Sequence, residues 1–567
     1  MMDIILKLSQ MKKLLVLALF IPKLLAAQTY SQLADSALHV MNGPRGDSIG
    51  VITAYPKAYA LYQQAFSMFP AEADRLGYYK AGYLAGELNK PDEAFMYLNK
   101  VVIDMKYYDL VLGKYARGEF SKLINDTRWN VLVGKARVKK QAYLAALKDK
   151  QKALEAQGIL NRLDFSKDDA RAAYQKIKQY NQYPALTGQY ISMQVPLTDT
   201  LHTAFLIALP FKYNPAKAYP VLFFLHGAVS SNIGYLDEVG KEDLGGWNRY
   251  YTKYAAGDDV IMVYAHANRD YNWMYPDKGF FMIPAILKQI RQVVHIDDNK
   301  VFISGHSNGA TGSFSYMMKQ PSEFAGFYGF NTRPKVATGG TYIRNILNRS
   351  FFNVSVDQDY YYPPAAHDSL SATMKRLGAD YQDHRYNGYP HWFPQFDASE
   401  PAYELLFNDL AKRKRDPFHH AIYWECDDVQ YGTCDWIKIT GLDTTAKRAA
   451  WQQNINFPIK KWIVLDKKNE THERDTLLNA FKYIKQSGAI KATYKDNVFT
   501  IETSDVKEFS ILISPEMTDL TKPVTVIVNG KLYSKKQVNY DKDYMLSGFK
   551  ATADRAAIWV NRIDVKL

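Results

Sequence analysis

Residues 301–314 read V-F-I-S-G-H-S-N-G-A-T-G-S-F and hold a G-x-S-x-G pattern centred on Ser307. The apolar residues before the pattern predict a strand, and the residues after it predict the start of a helix. A serine hydroxyl is a weak nucleophile, so it has to be held on a tight turn where a base can reach it. Gly305 and Gly309 allow strand and helix to pack closely around such a turn. The stretch predicts Ser307 as a nucleophile, and the alternative is a glycine-rich turn without chemistry.

Candidates for a triad acid and a general base follow Ser307 in the order that this arrangement uses. The apolar run 351–356 predicts a strand, and Asp357 and Asp359 come directly after it. A further predicted helix, strand and loop then lead to His391. We expect these side chains at the carboxyl edge of one sheet, with His391 as the base and Asp359 as the acid. Asp357 is the alternative acid, and a surface-loop role is the alternative for His391.

An oxyanion hole requires backbone N–H groups beside the nucleophile. Asn308 supplies the first by its position after Ser307. The apolar run 220–225 predicts a buried parallel strand that ends in His226, Gly227 and Ala228. A turn at this H-G-x step directs N–H groups toward the site, so Ala228 is the second predicted donor. We expect His226 to brace the loop rather than to transfer protons.

Two longer stretches carry a resemblance to a known family. Residues 296–310 (I-D-D-N-K-V-F-I-S-G-H-S-N-G-A) and 317–330 (M-M-K-Q-P-S-E-F-A-G-F-Y-G-F) resemble the polyhydroxybutyrate depolymerase and feruloyl esterase branch of the α/β-hydrolases. The resemblance covers residues 190–412 and implies an α/β-hydrolase core with serine esterase activity and no metal or organic cofactor. In that branch a proline typically follows the acid four residues later, which Asp359 and Pro363 match.

The sequence also departs from that branch. Ala310 stands where a second glycine is usual after S-N-G, and Ser355 and Val356 stand where an H-G step usually precedes the acid. His391 follows a tyrosine and a proline rather than a run of glycines. None of these changes removes a catalytic group, but each bears on the shape of the substrate cleft.

The composition indicates the class of protein, and the N-terminal residues indicate its cellular compartment. The chain has 567 residues, of which 47% are hydrophobic and 23% charged, as in an ordinary globular protein of several domains. Residues 1–27 combine lysines, the apolar run 14–20 and a final L-A-A, which predicts a secretory signal peptide. The apolar run is shorter than the ~20 residues that a membrane span needs. We therefore expect a periplasmic or secreted protein without a membrane span.

The net charge and the two cysteines indicate which partners, cross-links and metal sites to expect. The net charge is +13, but no basic run is interleaved with aromatic residues as in a nucleic-acid motif, so we expect no nucleic-acid partner. The chain has two cysteines, Cys426 and Cys434, which flank a short predicted turn between strands. In an exported protein this spacing predicts a disulfide. No histidines accompany them at metal-binding spacing, so no metal is expected.

Changes in the spacing of apolar residues along the chain predict three domains after the signal peptide. Residues 28–183 show helical periodicity, and the part around 77–98 resembles a tetratricopeptide helix pair, with degenerate helical packing as the alternative. Residues 184–415 alternate between predicted strands and helices, which indicates the α/β-hydrolase core with a mostly parallel sheet. Residues 416–567 carry short alternating strands and turn signals, which predict an all-β, sandwich-like domain.

Aromatic residues in predicted loops suggest substrate contacts. Tyr271, Trp273 and Trp392 fall in loops that should surround Ser307, with ordinary packing as the alternative. Together the predictions describe an exported serine esterase that acts on a small-molecule or polymeric ester. The helical or β domain would contact a protein or polysaccharide. The alternatives are a serine peptidase of the prolyl-oligopeptidase type and a catalytically inactive binding or scaffold protein.

Overall fold

The computed structural model describes residues 29–42, 48–113, 115–198, 202–229, 239–240, 244, 248–269, 271–274, 277–443, 445–466, 470–483 and 485–567. The predicted signal peptide lies outside the described residues. The chain divides into two compact units, residues 1–146 and 147–567. Among the described helices, none combines the length and the apolar character that a membrane crossing needs.

The first unit is built from helices. They are α1 (Tyr30–Asn42), α2 (Ser48–Met68), α3 (Arg75–Glu87), α4 (Pro91–Asn99), α5 (Asp109–Leu112), α6 (Ala116–Glu119) and the start of α7 (Thr127–Glu155). The side chain of Asp74 caps α3 by accepting a hydrogen bond from the N–H of Gly77, and Pro91 occupies the first turn of α4. Small residues on α3 let α4 approach closely, and Phe95 and Leu98 fill the space between them.

An eight-stranded sheet dominates the second unit, in the order β1-β2-β4-β3-β5-β6-β7-β8. Its strands are β1 (Tyr190–Pro196), β2 (His202–Ala208), β3 (Tyr219–Leu225), β4 (Ile261–Ala265), β5 (Ile296–Gly305), β6 (Gly326–Phe330), β7 (Ser350–Gln358) and β8 (Tyr381–Pro390). The β1–β2 and β2–β4 pairings are antiparallel, and the pairings from β4 to β8 are parallel. The predicted mixed α/β class is confirmed.

Helices cover both faces of this sheet, as a buried parallel sheet requires. Besides the end of α7, the helices of the second unit up to residue 412 are α8 (Ile159–Arg162), α9 (Ala170–Lys178), α10 (Arg249–Gly257), α11 (Met282–Val293), α12 (Asn308–Lys319), α13 (Pro364–Leu377) and α14 (Glu400–Lys412). Alternate residues of β3 belong to different cores: Val221 and Phe223 pack with α11 and α12, whereas Leu222 and Phe224 pack with α10 and α14. The continuous apolar run that predicted β3 reflects this double burial.

The C-terminal part of the second unit contains two further sheets and a hairpin. The sheet orders are β10-β11-β16-β19 and β18-β17-β15-β14-β9, and β12 pairs with β13 alone. The elements are β9 (Ala421–Cys426), β10 (Thr433–Cys434), β11 (Ile437–Leu442), β12 (Pro458–Leu465), β13 (Thr471–Asn479), β14 (Gly488–Lys495), β15 (Val498–Ser504), β16 (Val506–Ile513), β17 (Val524–Val528), β18 (Lys531–Lys536), α15 (Lys542–Thr552) and β19 (Asn561–Lys566). Helix α15 departs from the all-β prediction.

The division into units differs from the predicted domain boundaries near residues 183 and 415. Helix α9, predicted as part of the helical domain, packs through Tyr174 and Ile177 against Met545 and Phe549 of α15. A buried ion network also joins α11 to the C-terminal part, as described below for Asp554. These long-range contacts place residues 147–183 and 416–567 in one unit with the large sheet.

The structure does not contain the predicted disulfide. Cys426 and Cys434 are both free and buried. Cys426 ends β9 in one sheet, whereas Cys434 ends β10 in another. The spacing that suggested a hairpin clamp instead marks the point where the chain passes from one sheet to the other.

Candidate active site

The turn between β5 and α12 places Ser307 at the carboxyl edge of the large sheet. Ser307 adopts φ 58° and ψ −119°, a strained conformation for a residue with a side chain. The turn is tight because β3 lies against it: a Cβ atom on Gly309 would lie 1.8 Å from the carbonyl oxygen of Leu225. Residue 309 must therefore be glycine for strand and helix to approach this closely, as the G-x-S-x-G pattern predicts.

Three predicted side chains form a continuous hydrogen-bonded chain. His391 Nε2 lies 2.8 Å from Ser307 Oγ, and His391 Nδ1 lies 2.8 Å from Asp359 Oδ1. Asp359 and His391 are buried, while Ser307 is partly open to the cleft. With Nδ1–H donating to Asp359, Nε2 is free to accept the serine proton. The structure thus joins the predicted nucleophile, base and acid in one hydrogen-bonded chain.

The two acids after β7 occupy different environments. Asp359 Oδ1 also accepts a hydrogen bond of 2.7 Å from the N–H of Tyr361, which fixes the carboxylate in the turn. Asp357 instead accepts hydrogen bonds from the N–H groups of Gly388 (2.8 Å) and Tyr389 (3.3 Å). It therefore pins the loop that leads to the histidine, and Asp359 is the acid in contact with the imidazole.

The backbone of His391 is also held in place. Its carbonyl oxygen accepts hydrogen bonds from His306 Nε2 at 2.8 Å and from the side-chain amide of Asn331. Burial, and after it the nearby His391, lowers the pKa of His306 to about 3, so His306 is neutral and donates through Nε2. Sequence reasoning missed Asn331, although a polar residue directly after the apolar strand β6 is a signal for a role at this edge.

The two predicted oxyanion donors line the cleft beside Ser307. Asn308 is the first residue of α12, where backbone N–H groups have no partner within the helix. Ala228 lies in the turn after β3 with φ 52°, a left-handed conformation that is rare for a residue other than glycine. Both positions fit the predicted role, and the dipole of α12 favours negative charge at this end.

His226 has the bracing position that the sequence predicts. Its Nδ1 donates to the carbonyl oxygen of Gly227 at 2.7 Å, and its Nε2 accepts from the N–H of Ala267 at 3.1 Å. Burial lowers its pKa, which keeps the ring neutral. Both ring nitrogens are occupied by the backbone, so His226 supports the turn that carries Ala228.

The cleft above Ser307 has a volume of about 770 Å³. Besides the residues already described, its walls are formed by Phe224, Asn248, Tyr360, Tyr361, Trp392 and Gln395. Trp392 is half-buried, and its ring centroid lies 6.2 Å from that of Tyr360. Of the three predicted substrate-binding residues, the structure brings Trp392 into this cleft.

Tyr271 and Trp273 are not among the residues that line this cleft, contrary to the prediction that they contact substrate. Trp273 is fully buried and Tyr271 is 5% exposed, and both belong to the core on the α11–α12 face of the sheet. The Trp273 ring lies edge-on to His226, with centroids 4.9 Å apart. Both side chains therefore point into the core. Trp273 packs against His226 and so supports the turn that carries Ala228.

Trp462 on β12 reaches the site from the C-terminal part. Its Nε1–H donates to the carbonyl oxygen of Tyr360 at 3.0 Å, and its ring packs edge-on to Tyr362 with centroids 6.1 Å apart. The guanidinium of Arg333 lies 5.3 Å from the Trp462 ring centroid. Sequence reasoning could not find this contact, because Trp462 follows Tyr360 by 102 residues and sits in a different type of structure.

Among the described residues, one group of side chains has the composition and spacing of metal ligands. Side chains of Asp466, Glu470 and His472 are close enough to share an ion, and all three are exposed near the turn of the β12–β13 hairpin. They do not line the cleft that contains Ser307.

Comparisons with known proteins give structural neighbours without sequence relatives. No protein-family model matches the chain, and no curated protein sequence matches it either. Similar solved structures include a protein assigned as a dipeptidyl aminopeptidase IV from Bacteroides ovatus, at 12% identity and TM-score 0.33, covering 40% of this chain and 36% of that one. A thermostable esterase has 20% identity and TM-score 0.32, covering 40% of this chain and 64% of its own.

Shorter solved structures match over nearly their full length. Butyrate-bound esterase 2 of Thermogutta terrifontis has 14% identity and TM-score 0.32, covering 41% of this chain and 97% of that one. The S-formylglutathione hydrolase of Staphylococcus aureus has 16% identity and TM-score 0.30, covering 38% of this chain and 98% of its own. These structural neighbours are hydrolases; what this chain does has to be argued from its own site.

Proposed function

We propose that this protein is a serine hydrolase that cleaves carboxylic esters. The observation that carries the proposal is the chain from Asp359 through His391 to Ser307, with both hydrogen bonds at 2.8 Å and the serine open to a cleft of about 770 Å³. A strained serine that is partly open to the cleft, with a buried base and acid behind it, is the arrangement that acyl transfer requires.

The reaction proceeds in two steps. Ser307 Oγ attacks the ester carbonyl carbon while its proton passes to His391 Nε2, and the oxyanion is held by the N–H groups of Asn308 and Ala228. The bond to the alcohol oxygen breaks as His391 returns the proton to it, which leaves an acyl group on Ser307. Water then attacks the acyl carbon and gives a proton to His391. The bond from the acyl carbon to Ser307 Oγ breaks as His391 returns that proton to Oγ, which releases the acid and restores Ser307.

The finer assignment follows the sequence resemblance. We infer a relationship to the polyhydroxybutyrate depolymerase and feruloyl esterase branch, which favours ester bonds in small molecules or polymers. The predicted signal peptide supports export to the periplasm or beyond. The helical first unit and the C-terminal sheets would then contact a protein or polysaccharide partner.

Covalent labelling tests the proposed chemistry. We expect a fluorophosphonate probe to form one adduct on the folded protein, located at Ser307 by peptide mass spectrometry. Ser307→Ala should abolish the adduct, whereas Ser313→Ala, which changes a buried serine of α12, should retain it. A folded protein with no adduct at Ser307 would favour the inactive-scaffold alternative.

A substrate panel tests the ester assignment. Acetyl, butyryl and feruloyl esters and a short polyester would be compared with proline-containing peptide anilides. We expect turnover of at least one ester to exceed that of every anilide in kcat/KM. A labelled enzyme that prefers an anilide would instead be a peptidase.

A further inference from the structure

Asn248 forms part of the cleft wall and directly precedes helix α10. Its side chain makes no hydrogen bond to the helix that follows, although asparagine at this position usually accepts one from the first turn. The residue is 8% exposed, and its Oδ1 atom is buried without a hydrogen-bond partner. A strong acceptor is therefore held inside the wall of the cleft and used by no described protein group.

The rest of the described cleft lining is neutral. None of the described lining residues is an aspartate, glutamate, lysine or arginine, and Phe224, Tyr360 and Trp392 add aromatic surface. In such surroundings a hydrogen bond is strong, and an acceptor left without a donor is costly. A charged group of a substrate would lose its hydration here without gaining a counter-ion. The site therefore favours a neutral group that can donate.

We propose that Asn248 determines specificity by accepting a hydrogen bond from a hydroxyl or amide N–H of a neutral ester substrate. This inference rests on the proposed function, because it concerns the same cleft. The donor belongs to either the acyl or the alcohol portion, and the chemistry of recognition is the same in both cases. The apolar remainder of the substrate packs against Tyr360 and Trp392. An analogue that lacks the donor leaves the Asn248 oxygen buried and unpaired, so it is discriminated against.

Matched ester pairs test this proposal on the full chain. One arm compares para-nitrophenyl esters of hydroxy acids with those of unsubstituted acids of the same length. The other compares acetate esters of diols with those of simple alcohols of the same length. The readout is the ratio of kcat/KM within each pair, taken over a series of hydroxyl positions. We expect the wild-type ratio to reach at least about tenfold for one position in one arm, which also identifies the portion that carries the donor.

Variants assign the ratio to Asn248. Asn248→Leu should bring it close to one, whereas Asn248→Asp, which keeps an acceptor oxygen, should retain part of it. Gln395→Met is the matched control, because Gln395 lines the same cleft but is exposed to water, and it should change the ratio less. Thermal unfolding checks that each variant is folded.

Failure of the proposed function and failure of the proposed role of Asn248 give different results. A protein that forms no adduct at Ser307 and turns over no ester contradicts the proposed function itself. A protein that is labelled and active, with wild-type ratios near one in both arms, overturns the role of Asn248 without recourse to any variant. A larger effect of Gln395→Met than of Asn248→Leu overturns it as well.

Discussion

Two buried carboxylates in the second unit, Asp359 and Asp554, are compensated in different ways. Asp554 contacts two arginines that are themselves buried, with Asp554 oxygens 3.1 Å from Arg291 and 2.8 Å from Arg415. Asp359 contacts one histidine and one backbone N–H, and its Oδ2 atom is buried without a hydrogen-bond partner. Asp554 is neutralised in the ground state, whereas Asp359 meets a full positive charge only when His391 takes up a proton.

The difference separates a structural ion site from a carboxylate that we propose to be catalytic. Burial alone would raise the pKa of Asp554, but Arg291 and Arg415 hold it well below its usual range. A fixed charge balance of this kind joins elements and does not change during a reaction. A carboxylate whose partner becomes charged in the transition state stabilises that state more than the resting one. Replacing each carboxylate in turn tests this distinction.

Replacing the triad acid should affect rate far more than stability. Asp359→Asn removes the acceptor that orients His391 and stabilises the imidazolium, and we expect kcat to fall by about 10⁴. Asp357→Asn is the matched control, since it keeps the triad and weakens only the pinning of the 388–389 backbone. Steady-state kinetics on the best ester of the panel measures both. A larger loss for Asp357→Asn would mean that Asp357 is the catalytic acid.

Replacing Asp554 should affect stability far more than rate. Asp554→Asn leaves Arg291 and Arg415 buried with less compensating charge, and we expect the free energy of unfolding to drop by about 3–5 kcal/mol. Asp564→Asn is the control, because its ion pair with Arg562 is about half exposed and should contribute at most about 1 kcal/mol. Urea unfolding gives both values, and kcat of the folded fraction should change little. Equal losses in the two variants would refute the structural role of Asp554.

His306 supplies a third buried titratable group, which is held neutral. Its pKa is lowered to about 3 in the folded protein, against about 6.5 in the unfolded chain. The unfolded state therefore binds more protons between these values, so stability is full above about pH 6.5 and is lost as the pH falls toward 3. We expect His306→Gln to remove a few kcal/mol of this pH dependence, measured by urea unfolding between pH 4 and 7.

A histidine on the surface provides the comparison for that measurement. His472 is half exposed on the β12–β13 hairpin, and His472→Gln should leave the wild-type pH profile of stability in place. An unchanged profile in His306→Gln would show that other groups, such as His226 and the buried His367, account for the loss at low pH.

The smallest predicted effect concerns Trp462. Trp462→Phe keeps an aromatic ring but removes the donor to the Tyr360 carbonyl oxygen, next to Asp359. We expect kcat/KM to fall about two- to tenfold, the range of one hydrogen bond. Trp451→Phe, a change to a tryptophan that does not line the cleft, should leave kcat/KM close to that of the wild type. Equal changes in kcat/KM in the two variants would show that the hydrogen bond from Trp462 does not contribute to the reaction.

Sequence reasoning went furthest where chemistry imposes a local pattern. The G-x-S-x-G turn requires glycines at fixed positions, and chain order then limits the search for an acid and a base to a few residues. The central strands β3 and β4 of the large sheet could be predicted because they are buried on both faces and therefore continuously apolar. The structure brings Ser307, Asp359 and His391 together as those patterns suggest.

The features that sequence reasoning missed depend on contacts between distant segments. The loop at Tyr271 and Trp273 has no periodicity that tells an inward side chain from an outward one. Asn248 looks like an ordinary helix cap, and only its unused oxygen in the structure distinguishes it. The pairing of Arg291 with Asp554 spans 263 positions, so no local pattern indicates it. For this reason we expect residues 184–415 alone to be unstable, although the sequence suggested a separate catalytic domain.

The late position of Asp554 also bears on how the protein is made. Arg291 and Arg415 leave the ribosome long before their shared partner, which follows Arg415 by 139 residues. During synthesis the large sheet therefore passes through a period in which two arginines that end up buried cannot yet be neutralised by Asp554. Because partly formed species of large proteins expose apolar surface and aggregate, we expect the chain to be aggregation-prone during this period. Pairing of Asp554 with Arg291 and Arg415 would then be the step after which the second unit is stable.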